Sequence, residues 1–141
     1  MAYRRDLANA ARRHLKGAQI LYKNTCAGAQ PGAKAVAGYI FGLAGELAVK
    51  QIMRDSGITE LPQENRRDDP FYHHFPTLKS LLINKAQGRR GGELLRFAND
   101  PRLFSNWDTT MRYAPTNDIK EEWVSAWKAS AELLVSTMDA M

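Results

Sequence analysis

The C-terminal string WDTTMRYAPTNDIKEEWVSAWKASAELLVSTM constrains the fold of this chain more than any other segment. A turn at Trp107 leads to Arg112 and Tyr113, Pro115 breaks the chain, and a long helical stretch follows. Within it Trp123, Trp127, Ser130, Leu134, Thr137 and Met141 step by 4, 3, 4, 3 and 4. That alternation is the spacing of a seam in a helical bundle. Asp118 stands three residues before Glu121, the pattern of a capping box, so the last helix is expected to begin near Asp118.

The rest of the chain reads the same way. Residues 4–24 place Leu7, Ala11, Leu15, Ala18 and Tyr22 on one helical face, with His14 at its rim. Residues 34–55 are apolar nearly all round, which predicts a central or interface helix. Gly38, Gly42 and Gly45 weaken that helix by about 1 kcal/mol each against alanine, so close approach by a neighbouring helix is expected over them. Glu46 and Lys50, four apart at the edge of the apolar stripe, form either an ion pair that fixes helix orientation or a polar site. Between the first two helices, Cys26, Gly28, Pro31 and Gly32 mark a small-residue loop. Residues 56–75 predict a long irregular loop holding Arg66, Arg67, Asp68, Asp69, Tyr72, His73 and His74. A third helix follows from Pro76–Thr77, then a basic glycine turn with Arg89 and Arg90, and a short helix over 93–99 ending before Pro101. Leu103, Phe104, Trp107 and Met111 suggest one more apolar turn. No strand-like alternation or internal repeat is present. The expected fold is all-α, one domain over residues 4–140.

Charge is spread unevenly. Residues 1–25 carry six Lys or Arg against one Asp, while residues 118–141 carry two Lys against five acids. On the first helix Arg5, Arg12, Lys16 and Lys23 return to nearly the same angle. Four aligned cations repel one another unless something anionic lies along them, and nucleic acid is the first candidate. A single cysteine leaves no internal disulfide and no multi-cysteine zinc site, and no metal or cofactor is called for. No apolar run reaches the roughly 18 residues a membrane span needs, and the N-terminus lacks a signal-peptide core. A reduced, cytoplasmic setting is the expectation.

Three stretches together resemble the HEPN family of small helical domains. YIFGLAGELAVKQIM is similar to the family's second helix, with an internal Glu and a Lys four later. HHFPTLKSLL resembles its His-x-Leu-x-x-Leu segment, with Phe75 and Pro76 intervening here. MRYAP before an acidic, Trp-rich helix resembles its Arg-Tyr-Pro turn. The resemblance implies an up-down bundle of about five helices, a homodimer, and binding of a nucleotide or RNA. It also implies partnership with a nucleotidyltransferase or a toxin–antitoxin or defence protein.

Many members of that family are ribonucleases marked by an Arg, four to six residues and a His before the last helix. This chain has no His after His74. The leading expectation is therefore a non-catalytic domain, with Arg112 and Tyr113 at a helix junction and Glu46 and Lys50 as an internal polar pair. Arg112 would either cap helix-end carbonyls or face a ligand, its stem packed between neighbours, and Tyr113 would belong to the core. The alternative is a metal-independent endoribonuclease using Arg67 with His73 or His74. There an imidazole would shuttle the proton of the 2′-hydroxyl and arginine would stabilise phosphorane charge. A third reading is a structural dimer whose assembly is its function.

Overall fold

The computed structural model describes residues 3–24 and 32–140. Five α-helices carry the chain: α1 Leu7–Tyr22, α2 Gly32–Asp55, α3 Thr77–Lys85, α4 Gly91–Asn99 and α5 Glu121–Asp139. Short 3-10 turns at Gln63–Asp68, Pro70–Tyr72, Thr109–Tyr113 and Thr116–Asp118 join them, and no strand occurs among the described residues. The fold is an all-α helical bundle, as the periodicity predicts. Cys26, Gly28 and Pro31 of the expected first loop, and Met141 of the expected seam, lie outside the described residues.

α2 is the axis of the bundle. Its length and composition alone would let it cross a membrane. Here Ala37, Phe41, Ala44, Ala48, Val49, Ile52 and Met53 are buried against the rest of the chain. α1 runs antiparallel to it, so Tyr22 at the end of α1 meets Phe41 edge-on at 6.1 Å and lies under Lys34. α5 runs parallel to it instead. Lys34 pairs with Glu121 at 2.6 Å near the two helix starts, and Leu134 lies beside Gly45 further along.

The parallel arrangement requires the chain to travel back along α2 before α5 begins, and residues 103–119 do this as a strap. Phe104 lies over Gly45, Trp107 over Gly42, and Arg112 reaches Tyr39. Thr116 arrives at Gly32. A Cβ on Gly42 would stand 2.5 Å from Trp107 Cζ2 and closer still to Cε2 and Nε1; one on Gly45 would stand 2.5 Å from Phe104. The three glycines are thus explained by aromatic rings rather than by a neighbouring helix backbone, since Gly38 lies under Trp127. The indole Nε1 of Trp107 donates to the Gly38 carbonyl at 3.2 Å, so the ring is held by a hydrogen bond as well as by area.

Two helix details differ from the sequence reading. α5 starts at Glu121 behind Lys120, with no side-chain cap, while Asp118 closes the preceding 3-10 turn. The capping box does not form, because that turn consumes the residues that would have built it. The buried stripe is Val124, Trp127, Ala131, Leu134, Val135 and Met138, so Trp127 and Leu134 stand as expected while the other positions shift by one residue. Trp123, Ser130 and Thr137 flank it. Val124 and Ala131 take the buried positions, with Val124 lying beside Gly38.

The long loop over 56–75 is ordered by two carboxylates. Asp69 is fully buried and accepts from the Leu61 and Phe71 amides at 2.8 and 3.0 Å. Glu60 gathers Arg5 at 2.7 Å, Arg54 at 3.0 Å and the Tyr72 hydroxyl at 3.1 Å. The basic glycine turn is likewise fixed at one residue. Arg90 is buried and donates to the Thr137 and Met138 carbonyls, tying the start of α4 to the end of α5. Arg89 beside it is exposed.

Candidate anion-binding site

Glu46 and Lys50 follow Tyr39 by seven and eleven residues, so each falls within about 20° of it, and about 40° from the other, over about 16 Å of helix. α2 therefore presents them as one line. Two other elements complete it. The 3-10 turn Thr109–Tyr113 brings Arg112, whose Nη1 donates to the Tyr39 hydroxyl at 3.3 Å. The end of the long loop brings His74, whose Nδ1 lies 2.7 Å from Glu46 Oε2.

Glu46 anchors this arrangement. Its side chain is 3% exposed, and its other oxygen accepts the Phe75 amide at 2.8 Å. A carboxylate oxygen can only accept, so His74 Nδ1 carries the proton of the shared bond. The imidazole is 55% exposed. Its Nε2, on the far side of the ring, is the nitrogen that faces away from Glu46. The bond to Glu46 raises the His74 pKa above the ordinary histidine value; partial burial and the charges of Lys50 and Arg112 work against it. Burial lowers the Lys50 ammonium from the usual lysine range, and Glu46 offsets part of this.

Arg112 itself is exposed, with its guanidinium over the Tyr113 ring at 4.8 Å. It does not cap helix carbonyls, and its stem is not packed. Tyr113 is 76% exposed, not a core residue. The strap explains both corrections: Trp107 and Met111 face α2, so the two residues after Met111 turn outward. Tyr39 holds Arg112 in place because its own ring stacks on Trp107 at 5.6 Å.

Arg67 and His73 are placed differently. His73 Nε2 lies 2.8 Å from the Arg67 carbonyl and 3.2 Å from that of Arg66, both acceptors, so this nitrogen is a donor spent on its own loop. Arg67 is exposed and contributes its backbone to that contact rather than its guanidinium. On α1, Arg5 pairs with Glu60 and Arg12 with Asp139 at 2.6 Å. The anions that relieve the row of cations are thus, for these two, carboxylates of the same chain. Lys16 and Lys23 are exposed without a carboxylate partner among the described residues. Arg5 shares Glu60 with Arg54, so the start of the chain lies beside the C-terminal end of α2.

Beyond Arg112 the strap and the first turns of α2 enclose a cleft of about 370 Å³. Ala35, Val36 and Tyr39 form one wall, Met111 and Ile119 the other, and Arg112 stands at its edge. Sequence reasoning singled out Glu46, Lys50, His74 and Arg112 but not their meeting, and it missed Tyr39. The offset of 39 from 46 and 50 was the available signal. Comparison of the chain with protein-family models, with curated proteins and with solved structures finds no match.

Proposed function

We propose that this chain is a HEPN-like, non-catalytic RNA-binding domain, and that Arg112, His74 and Lys50 contact the phosphates. One observation carries the reading. Arg112 is tied to Tyr39 and His74 to Glu46, both on the α2 line that Lys50 extends, and Glu46 is buried and already accepts two hydrogen bonds. A buried carboxylate orients His74 without competing for an outside anion, while the exposed imidazole edge and guanidinium stay accessible. The spread of about 16 Å along the helix suits a polyanion better than a lone phosphate. The order of Glu46, His74 and Arg112 along the chain fits the HEPN resemblance. Dimerisation and a nucleotidyltransferase or defence partner in the cytoplasm belong to the same proposal. The apolar surround of α2 no longer argues for a dimer, because the chain covers that helix itself.

Fluorescence anisotropy of a labelled oligoribonucleotide tests the reading. Three phosphate contacts give a slope of about −2 in log K against log salt for a single strand. Lys50→Gln, His74→Gln and Arg112→Gln combined should abolish that binding, and Lys16→Glu with Lys23→Glu should weaken it little. Wild-type affinity in the triple variant would move the binding to α1.

A second reading has one observation in its favour. An exposed imidazole on a buried carboxylate, with an arginine charge nearby, is an acid–base group beside a charge stabiliser. This would be a metal-independent endoribonuclease centred on His74 rather than on Arg67 and His73. Incubation with total RNA and EDTA decides: cleavage that disappears in His74→Ala replaces the non-catalytic proposal.

A further inference from the structure

We infer that the cleft between the first turns of α2 and the strap is a binding site for a carboxylate attached to a bulky apolar group, with Arg112 receiving the carboxylate. Arg112 is shared with the RNA reading, but His74 and Lys50 do not line the cleft, so Lys50 variants separate the two.

Arg5, Arg12, Arg54, Arg90 and Arg102 each lie within 4 Å of a carboxylate of the same chain. Arg112, like six other arginines, has none among the described residues; what sets it apart is that it lines the cleft, where its contacts are the Tyr39 hydroxyl and the Tyr113 ring. Both are neutral, and together they hold the guanidinium in the cleft lining with no carboxylate partner. An arginine fork meets a carboxylate through two parallel hydrogen bonds.

The lining decides what that carboxylate is joined to. Ala35, Val36, Met111 and Ile119 offer only hydrocarbon and a thioether, and Val36 is 51% exposed. Besides Arg112, the polar side chains are the hydroxyls of Tyr39 and Thr116, and the first is already engaged by Arg112. A nucleotide entering here would bury ribose hydroxyls and base-edge atoms against walls whose only unengaged side-chain hydroxyl is that of Thr116, and each unpaired group loses its water at a penalty. An aromatic or branched apolar body loses nothing comparable and covers Val36. The volume of about 370 Å³ lies within the range of small-molecule pockets. Two sources share this chemistry: a free aryl or acyl carboxylate, and a peptide carboxyl terminus with a large apolar last residue.

The probe is 2-naphthoate, followed by tryptophan fluorescence, since Tyr39 in the cleft wall stacks directly on Trp107. Its neutral analogue 2-naphthalenemethanol, AMP, and a pentapeptide ending in phenylalanine with a free or amidated terminus are measured alongside. Naphthoate should bind on the order of tenfold or more tightly than the alcohol and than AMP, the scale of a charge-assisted hydrogen bond. Arg112→Met should erase the difference between naphthoate and the alcohol. Val36→Glu, at an exposed position that folding tolerates, should weaken naphthoate at least tenfold by placing a like charge in the cleft. Lys50→Gln should leave it unchanged even if RNA binding is lost. The peptide arm assigns the source: binding of the free but not the amidated terminus points to a protein partner, and failure of both points to a free carboxylate. The proposal is overturned if neither naphthoate nor the free-terminus peptide binds at millimolar concentration, if the alcohol or AMP binds as well as naphthoate, or if Arg112→Met changes nothing.

Discussion

Replacing Gly42 with alanine sets two effects against each other, and the geometry says which is larger. In a mid-helix position alanine is favoured over glycine by about 1 kcal/mol. At Gly42, however, the new methyl would lie 2.5 Å from Trp107 Cζ2, and nearer to two other indole atoms. Carbon pairs settle at about 3.5–4.0 Å, so the ring must retreat by about 1 Å or more. It has little room: Trp107 is 2% exposed, stacked on Tyr39 and met edge-on by Phe75 at 6.3 Å. Overpacking of a tight core costs about 1–3 kcal/mol. Loss of the Nε1 bond to the Gly38 carbonyl adds about 1–3 kcal/mol if its partners stay buried. The ceiling is expulsion of the indole, about 3–5 kcal/mol. After subtracting the helix gain, the expected net loss is about 2–4 kcal/mol. Urea unfolding followed by circular dichroism should show a midpoint lowered by about 1–2 M. Gly17 is the control, because nothing lies within 4 Å of a Cβ there; its alanine variant should gain up to about 1 kcal/mol. In a Trp107→Leu background the Gly42→Ala penalty should shrink, a direct measure of coupling. If Gly42→Ala is as stable as the wild type, the strap is not seated on α2 as described.

The remaining predictions concern the site and one turn. By NMR, His74 should titrate above the ordinary histidine value of about 6.5, and Glu46→Gln should bring it back toward that value. Because the folded pKa is the raised one, the His74–Glu46 contribution to stability is fully present below about pH 6.5 and is lost as pH rises through the folded value, so the stability difference between wild type and His74→Gln should narrow over that window. Glu46→Ala strands the Phe75 amide and should destabilise by about 1–3 kcal/mol in thermal or urea melts. Arg112→Ala, at an exposed position, should change stability by no more than about 0.5 kcal/mol while weakening ligand binding, and a loss above 2 kcal/mol would contradict the placement of its side chain. Gly88 has φ +75° and its missing Cβ faces the Ser56 carbonyl, so Gly88→Ala should lower the melting temperature measurably; an unchanged melt would refute that turn.

The sequence by itself determined the helices. Periods near 3.6 fixed α1, α2 and α5 within a few residues, because an amphipathic or wholly apolar stripe is a local property of spacing. It also marked Glu46, Lys50, His74 and Arg112 as chemically unusual, since charged groups beside apolar stretches stand out in any linear reading. Tertiary structure alone decided where those groups meet. The parallel run of α2 and α5 depends on a strap whose course is set by Trp107 and Phe104 lying on glycines roughly sixty residues earlier, and no local period encodes that pairing. The same distance effect turned Tyr113 outward, moved part of the α5 seam by one residue and tied up Arg5 and Arg12. It also gave Glu46 its partner 28 residues along the chain in His74. Spacing along a helix is written in neighbouring residues. Which face meets which is settled only when the aromatic rings and buried carboxylates of distant segments find positions that satisfy both their volume and their hydrogen bonds.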